Sequence, residues 1–427
     1  MNDITEFYAA LADLNGIYRG KRLEEGAVQK ALGSGIRMPL TIAGMDVWGA
    51  DIDGNPKVFE DGDADGVAEP IGTGFLPTPW NAPGSALFPV WLRQDDGRPY
   101  GGDPRRVLGA IVAAFREAGL TPVMATELEF YLVERKGESI VPAATGPGKV
   151  RAATMAITEL EAYGPYIREV SAACRSWGLP LDTVIAENGP GQLEVNFKHA
   201  PDPLAAADHA QLFKHLAAGI ARTHGWEACF MAKPFSEEAG NGLHVHVSLL
   251  DEDGRNIFDD GSARGAPALG HAVGGLRQAM HQSALIFAPH FNSYRRLRPA
   301  SYAPVNTDWG HEDRMAAIRI PGGPAAARRL EHRVAGADAN PYLVIAAILC
   351  GILHGLTHKI DPDAPLADPR LPEDWGAAIA AFEAAPILRS YLPELFFTMF
   401  AECKAQERGV FAAHVSPFEI DSYLRMT

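Results

Sequence analysis

Cysteine is scarce in this chain: Cys174, Cys229, Cys350 and Cys403 are the only four among 427 residues. They are far apart and no C-x-x-C occurs, which excludes a disulfide framework and a zinc knuckle and leaves reduced thiols, as in a cytoplasmic protein. Basic charge is short as well. Lys and Arg total 38 against 53 Asp and Glu, a net charge of −15, so a broad nucleic-acid-binding face is excluded. The opening residues include Asp3 and Glu6 and lack a basic-then-apolar pattern, so no signal peptide is expected. The longest apolar run, Tyr342 to Leu353, is too short to span a bilayer and reads as a buried helix. No G-x-x-x-x-G-K-[ST] is present and no G-x-G-x-x-G follows a strand, so a nucleotide would bind outside the P-loop and Rossmann schemes. Gly240-Asn241-Gly242 reads as a tight turn. There is no internal repeat and no low-complexity tract.

What is present is an ordinary globular composition, 47% apolar and 21% charged, long enough for two or three domains. The first hundred residues or so are rich in Gly, Asp and Pro, with strands expected at Leu40–Val47 and Ser85–Arg93. Asp103-Pro104 is a helix-start signal, a capping acid followed by proline in the first turn, and a domain boundary is expected there. Beyond it, strands and helices alternate. Strands are expected at 121–134, 179–188 and 192–200, and helices at Glu161–Ser176, Asp202–Thr223, Leu269–Phe287 and Tyr342–Lys359. A hairpin is expected over 242–258, turning at Asp253-Gly254. The segment 138–150 reads as a loop.

Several strands alternate apolar and polar residues, so their polar side chains share a face. Glu127 and Glu129 form one such row, Glu194 and Asn196 a second, and His244, His246 and Ser248 a third. Arg329, Glu331 and Arg333 form a fourth, and Arg319 lies between Ile318 and Ile320. One row would be a solvated face of a half-buried sheet. Five rows of carboxylate, imidazole and guanidinium are another matter, because neighbouring carboxylates repel unless cations lie between them. Glu oxygens with a single His suit Mg²⁺ or Mn²⁺, and arginines aimed at the same region suit phosphate or carboxylate. Together these are the requirements of phosphoryl transfer.

Read in order, ELEF at 127–130, ENGPGQLE at 187–194, AKPF at 232–235, NGLHVHVS at 241–248, NSYRRLRP at 292–299, RIP at 319–321 and RRLEHRVAGADANPYL at 328–343 resemble the glutamine synthetase family. The resemblance runs from about residue 35 to the C-terminus. It implies an α+β fold, with an N-terminal β-grasp domain at 1–103 and a catalytic domain at 104–427 built on a curved antiparallel sheet flanked by helices. It also implies ATP-dependent formation of γ-glutamyl phosphate, which an amine then attacks. By motif position, Glu129, Glu187 and Glu194 would hold one divalent metal and Glu127, His244 and Glu331 a second, with two or three Mg²⁺ or Mn²⁺ per site. Arg296 and Arg333, with the backbone of Gly240, would face L-glutamate. Arg314 and Arg319 would neutralise phosphate charge, and Asp182, His246, Ser248 and Arg329 would contact ATP. The resemblance further implies a homo-oligomer of two stacked hexamers, with active sites between subunits. No membrane and no nucleic acid are involved.

The chain departs from the family at one informative place. Ammonia-using members carry Pro-Gly-Tyr-Glu after the arginine motif, and that Glu helps hold and deprotonate ammonium. This chain reads Pro299-Ala300-Ser301-Tyr302-Ala303-Pro304. A neutral Tyr302 loses the charge that selects ammonium and offers an apolar or cation–π wall. Asp46 is the candidate for the family's N-terminal ammonium-binding aspartate. Ala326 and Ala239 replace a family lysine and asparagine, and the adenylylation-site tyrosine has no clear counterpart. EAYGPY at 161–166 and the S-Y-A-P loop are most similar to γ-glutamylputrescine and γ-glutamylpolyamine synthetases. The reading is therefore a glutamate–amine ligase acting on putrescine, a polyamine or another primary amine. Monoamines such as methylamine, ethanolamine or isopropylamine share the same loop chemistry. Ammonia-using glutamine synthetase and an inactive regulatory relative are the alternatives. A zinc amidohydrolase would also use His-x-His but needs further His ligands at strand ends.

Overall fold

The computed structural model describes residues 4–59, 62–143 and 154–426, and these contain two sheets. β1 (Glu6–Ala12), β2 (Tyr18–Leu23), β3 (Ile36–Pro39), β4 (Asp65–Pro70), β5 (Leu76–Pro77) and β6 (Ser85–Arg93) form the first. Its order is β2-β1-β6-β4-β3, with β5 on β6. β1 and β6 run parallel at its centre and the other pairs are antiparallel. The helix Glu25–Ser34 joins β2 to β3 and buries Val28 and Ala31, the mixed-sheet-plus-helix arrangement of a β-grasp unit. The expected strand at 40–47 is not one: Leu40–Gly44 is a 3₁₀ turn. Leu40, Thr41, Ala43 and Gly44 are all buried, and a strand would have pointed alternate members of that run away from the core.

The second sheet has nine strands: β7 (Thr121–Lys136), β8 (Ser139–Pro142), β9 (Leu181–Ala186), β10 (Gln192–Phe197), β11 (Glu227–Cys229), β12 (Leu243–Leu250), β13 (Trp309–His311), β14 (Ile318–Ile320) and β15 (Leu330–His332). Its order is β13-β14-β15-β12-β7-β10-β9, with β8 and β11 on the far end of β7. All pairs are antiparallel except β13–β14. The segment expected as a loop thus begins with a strand, β8, and its residues 144–150 lie outside the described residues. The expected hairpin is reduced to β12 and its turn. Asp251 and Arg255 close the turn, and the return limb makes a single bridge, Leu250 to Asn256.

Alternation along these strands sorts the two faces. Leu128, Phe130, Leu193, Val195, Leu243, Val245 and Val247 are buried in the core, which extends through the helices Pro203–Thr223, Pro267–Phe287 and Pro341–His358. The last of these is long and apolar enough to cross a membrane, but it is mostly buried inside the molecule. Gly355 lets it approach the helix Pro267–Phe287, because a Cβ there would strike the His271 carbonyl.

Two polar anchors fasten the layers. Asp103 caps the helix Pro104–Glu117 by accepting from the Arg105 amide at 2.8 Å, and it also accepts from Leu92 in β6 at 2.7 Å. Arg105 then grips Asp208 with two hydrogen bonds of 2.9 Å, and the Tyr342 hydroxyl donates to the same carboxylate at 2.8 Å. The second anchor joins the helix Glu394–Ala413 to the first 50 residues. Fully buried Lys404 and Glu407 pair at 2.8 Å. Glu407 also accepts from Asn15 Nδ2 at 3.1 Å and from the Val47 amide at 2.9 Å, and Lys404 donates to Asn15. Burial alone would raise the Glu407 carboxyl, but Lys404 and His290 hold it down at about 2. Its contribution is therefore complete above the ordinary carboxyl range and is lost as pH falls through about 2. Glu407→Gln strands the Lys404 charge in the core and is expected to lower the unfolding free energy by about 3–5 kcal/mol. Chemical denaturation at pH 7 reads this, and an unchanged midpoint would contradict it.

Candidate active site

Strand register gathers the polar rows. β7 and β12 set His244 opposite Glu127, and β7 and β10 set Glu194 opposite Glu129. β12 and β15 set His246 opposite Glu331, and β14 sets Arg319 opposite the same Glu331. The result is a cavity of about 480 Å³, whose lining includes Glu127, Glu129, Glu187, Glu194, His244 and His246. Arg296, Arg314, Arg319, Arg329 and Arg333 also line it.

Glu127 is the hub. Its Oε2 lies 3.2 Å from His244 Nδ1 and its Oε1 2.9 Å from His246 Nε2. Donor atoms of Glu127, Glu194 and His244 lie within 4.8 Å of one another, as do those of Glu127, His246 and Glu331. Glu331 is almost fully buried; it accepts from Arg319 at 2.9 Å and from Arg333, and lies 3.9 Å from His244. Glu129 accepts from the Gly242 amide at 2.6 Å. A Cβ at Gly242 would sit 2.9 Å from His244 Nε2 and 3.0 Å from Arg296 Nη2, so only glycine lets both side chains approach. Buried Arg296 donates to the Val334 carbonyl at 2.7 Å.

These acids disturb one another. Burial, and next the charge of Glu129, pushes the Glu187 carboxyl up to about 7. Burial, followed by Glu127, Glu129 and Glu187, raises Glu194 as well. Burial acts upward on Glu127 too, but the hydrogen bonds from His244 and His246 outweigh it and keep that carboxyl low. Glu331 is held low by His244, His246 and Arg333 against the same burial. A crowd of oxygen donors with imidazole, two of its acids driven toward protonation, fits divalent cations of the Mg²⁺ or Mn²⁺ type.

The expected site residues divide as follows. All six expected metal donors come together, though Glu129 and Glu187 stand outside the two tightest clusters and His246 stands inside one. Gly240, the five arginines and Tyr302 line the same cavity. Asp182 lines an adjoining cavity with Arg329, His246, Lys198 and His199. Ser248 lies two residues beyond His246 on the same strand face, outside the lining of the main cavity. Asp46 is not brought there within one chain. It is buried in its own loop, where its carboxylate accepts from the Trp48 and Ala50 amides and from Gln406. Sequence reasoning passed over Gln192, which lines the cavity. Its amide donates to the Gly240 carbonyl and to Asn241 Oδ1, both at 3.0 Å. Two residues before Glu194, it could have been found by the same alternation rule. Met155, Ile185 and Met315 were also missed, and nothing in their local sequence marks them.

The model of the glutamine synthetase catalytic domain matches residues 101–423. The chain belongs to the glutamine synthetase family. It is an ATP-dependent glutamate ligase, from a family that works with divalent metals. The chain is 33% identical to γ-glutamylputrescine synthetase PuuA of Escherichia coli (strain K12), over 97% of this chain and 90% of that one. It is 30% identical to a glutamate–isopropylamine ligase of Pseudomonas sp, over 96% and 93%. Among solved structures, a GmaS/ADP complex superposes with a TM-score of 0.84 at 28% identity, over 99% of this chain and 97% of that one.

Raised carboxyls such as Glu187 carry protons at neutral pH until a cation displaces them. Divalent-ion affinity is therefore expected to rise with pH through about 7 and on toward about 9 as Glu187 and then Glu194 release their protons, by up to about tenfold per pH unit for each proton released. The thermal stabilisation given by a fixed Mn²⁺ concentration should be larger at pH 8 than at pH 6. An equal or reversed increment would contradict the shifts.

Proposed function

We propose that this ligase joins the γ-carboxylate of L-glutamate to a primary amine larger than ammonia, such as putrescine, a polyamine or a monoamine. In this reading Arg296 and Arg333, with the Gly240 backbone, seat glutamate. Asp182, His246, Ser248 and Arg329 face ATP. Glu129, Glu187 and Glu194 would hold one Mg²⁺ or Mn²⁺ and Glu127, His244 and Glu331 another. When bound, such ions offset phosphate charge and align the transferring phosphoryl group. A γ-carboxylate oxygen attacks the γ-phosphorus of ATP and ADP leaves. The amine nitrogen then attacks the acyl carbon of γ-glutamyl phosphate, phosphate departs and the nitrogen gives up a proton. Arg314 and Arg319 stabilise the phosphate charge that moves in both steps. We place the division between the N-terminal and catalytic domains at residue 103. We also assign the enzyme to the cytoplasm, as a dodecamer of two stacked hexamers in which Asp46 could serve a neighbouring subunit's site.

The observation that carries the choice of amine is Tyr302. It stands where ammonia-using members place an acid, and it lines the cavity while remaining 69% exposed. A phenol there gives ammonium no counter-charge. Its backbone is left-handed, φ 60°, a conformation held only where the surroundings impose it.

Glutamate-dependent ADP release is expected to be at least tenfold greater in kcat/KM with primary amines than with ammonium; a tenfold preference for ammonium would refute the reading. Tyr302→Glu should shift selectivity toward ammonium, and an unchanged amine profile would reduce Tyr302 to packing. Glu331→Ala removes a proposed metal donor, takes from Arg333 the carboxylate it pairs with and leaves Arg319 with Glu312 alone. It should reduce turnover at least a hundredfold, so near-wild-type turnover would exclude that assignment. An inactive relative would release no ADP under any of these conditions.

A further inference from the structure

Two peptide groups beside the proposed glutamate seat are held by side chains that have no assigned role. The Tyr131 hydroxyl donates to the Ala239 carbonyl at 2.8 Å. The Gln192 amide donates to the Gly240 carbonyl and to Asn241 Oδ1, both at 3.0 Å, and its Oε1 accepts from the Gly189 amide at 2.8 Å. Tyr131 lies two residues beyond Glu129 and Gln192 two before Glu194, and strand pairing sets them opposite each other. They are 0% and 3% exposed within one chain, so their surroundings are complete before any neighbouring subunit arrives.

A trans peptide is planar, and its C=O and N–H point opposite ways. Holding the Ala239 carbonyl therefore fixes the Gly240 N–H, which faces away from Tyr131. Holding the Gly240 carbonyl does the same for the Asn241 N–H, which donates to the Ala232 carbonyl at 2.8 Å. Such holders matter here because glycine lets its peptide groups turn at little steric cost, and Ala239 has no polar side chain to anchor its own. A stiffer residue at 240 is not an option: a Cβ there would lie 2.6 Å from the Ala232 carbonyl oxygen and 2.9 Å from Arg296 Cγ. The close approach that requires glycine also sets the Gly240 backbone against Arg296. Gly189 is required for the same kind of reason, since a Cβ there would strike the Tyr131 hydroxyl.

Neither holder has a hydrogen left for substrate. Both Gln192 amide hydrogens go to Gly240 and Asn241, and the one Tyr131 hydroxyl hydrogen goes to Ala239. Burial, and next the charges of Glu238 and Glu129, raise the Tyr131 hydroxyl above its ordinary value, so it remains a donor throughout the neutral range. We propose that Tyr131 and Gln192 are positioning residues for glutamate, holding the Ala239–Gly240–Asn241 backbone so that the Gly240 N–H meets a substrate carboxylate beside Arg296. This rests on the seating of glutamate by Gly240, Arg296 and Arg333 in the proposed function.

Calorimetric titration of the full chain tests it, with Kd measured for L-glutamate in the presence of Mg²⁺ and ADP, and separately for ADP. Gln192→Met is expected to raise the glutamate Kd at least tenfold and Tyr131→Phe at least threefold, while the ADP Kd stays within twofold in both. General loosening of the site would weaken both ligands together. Tyr131→Phe deletes one oxygen and keeps the ring packed edge-on against Phe235, so it decides the matter should Gln192→Met fail to fold. Unchanged glutamate affinity in Tyr131→Phe, or a parallel loss of glutamate and ADP affinity, overturns the positioning role. Arg333→Gln removes a proposed glutamate contact and leaves Tyr131 and Gln192 in place. If it weakens glutamate at least tenfold while Tyr131→Phe does not, the positioning role falls and the seating stands. If it leaves glutamate binding unchanged, the seating falls and the positioning role with it.

Discussion

Glu127, Glu129, Glu187, Glu194 and Glu331 converge on one side of a single sheet, and without cations between them they repel. The rest of the molecule is arranged around that repulsion. His244 and His246 take opposite oxygens of Glu127, and Arg319 and Arg333 take opposite oxygens of Glu331. Among the described residues Glu187 and Glu194 have no such cationic partner, and they are the two of the five whose carboxyls rise. The protein thus neutralises part of the cluster with its own side chains and leaves the remainder for divalent ions. An active site built this way is strongest only when loaded, which suits a reaction that brings in the further charges of a nucleotide.

Holding repelling groups together requires a frame that cannot relax. Here it is the pairing of β7 with β10 on one side and β12 on the other, backed by a core of helices. The anchors beyond the sheet serve the same end. Asp103 bonds to both β6 and the helix that follows, and the Lys404–Glu407 pair draws the helix Glu394–Ala413 against the first 50 residues. Buried charges of this kind tolerate no displacement without exposing an unpaired partner, so they penalise slippage between layers.

The strands that gather the charged side chains make this site polar and largely buried, whereas its rim is exposed, apolar and strained. Met155 and Tyr302 sit on left-handed backbone at the cavity rim, and Met315 completes the apolar edge. Loops of this sort can change without disturbing sheet register, the usual route by which one scaffold accepts different substrates.

The sheet residues were legible before any coordinates because alternation has a period of two and puts Glu127 with Glu129, and His244 with His246, by geometry alone. Ordered motifs then supplied the family and with it an expected donor set. No strand forms at 40–47 because Leu40, Thr41, Ala43 and Gly44 are buried on a 3₁₀ turn packed against a helix some 350 residues later, a contact that no local pattern encodes. Register is the other limit. Sequence could say that each row shares a face, but only strand pairing decided that His244 opposes Glu127 while His246 opposes Glu331, and that both rings therefore reach one carboxylate. Met155, Ile185 and Met315 were invisible for a related reason: they come from separate segments, and nothing but tertiary packing brings them to one rim. The sequence by itself determined the fold class, the family and the polar inventory, because these follow from local periodicity and residue chemistry. The tertiary structure alone decided which charges meet and what surrounds the mouth, because both depend on contacts between segments far apart in the chain.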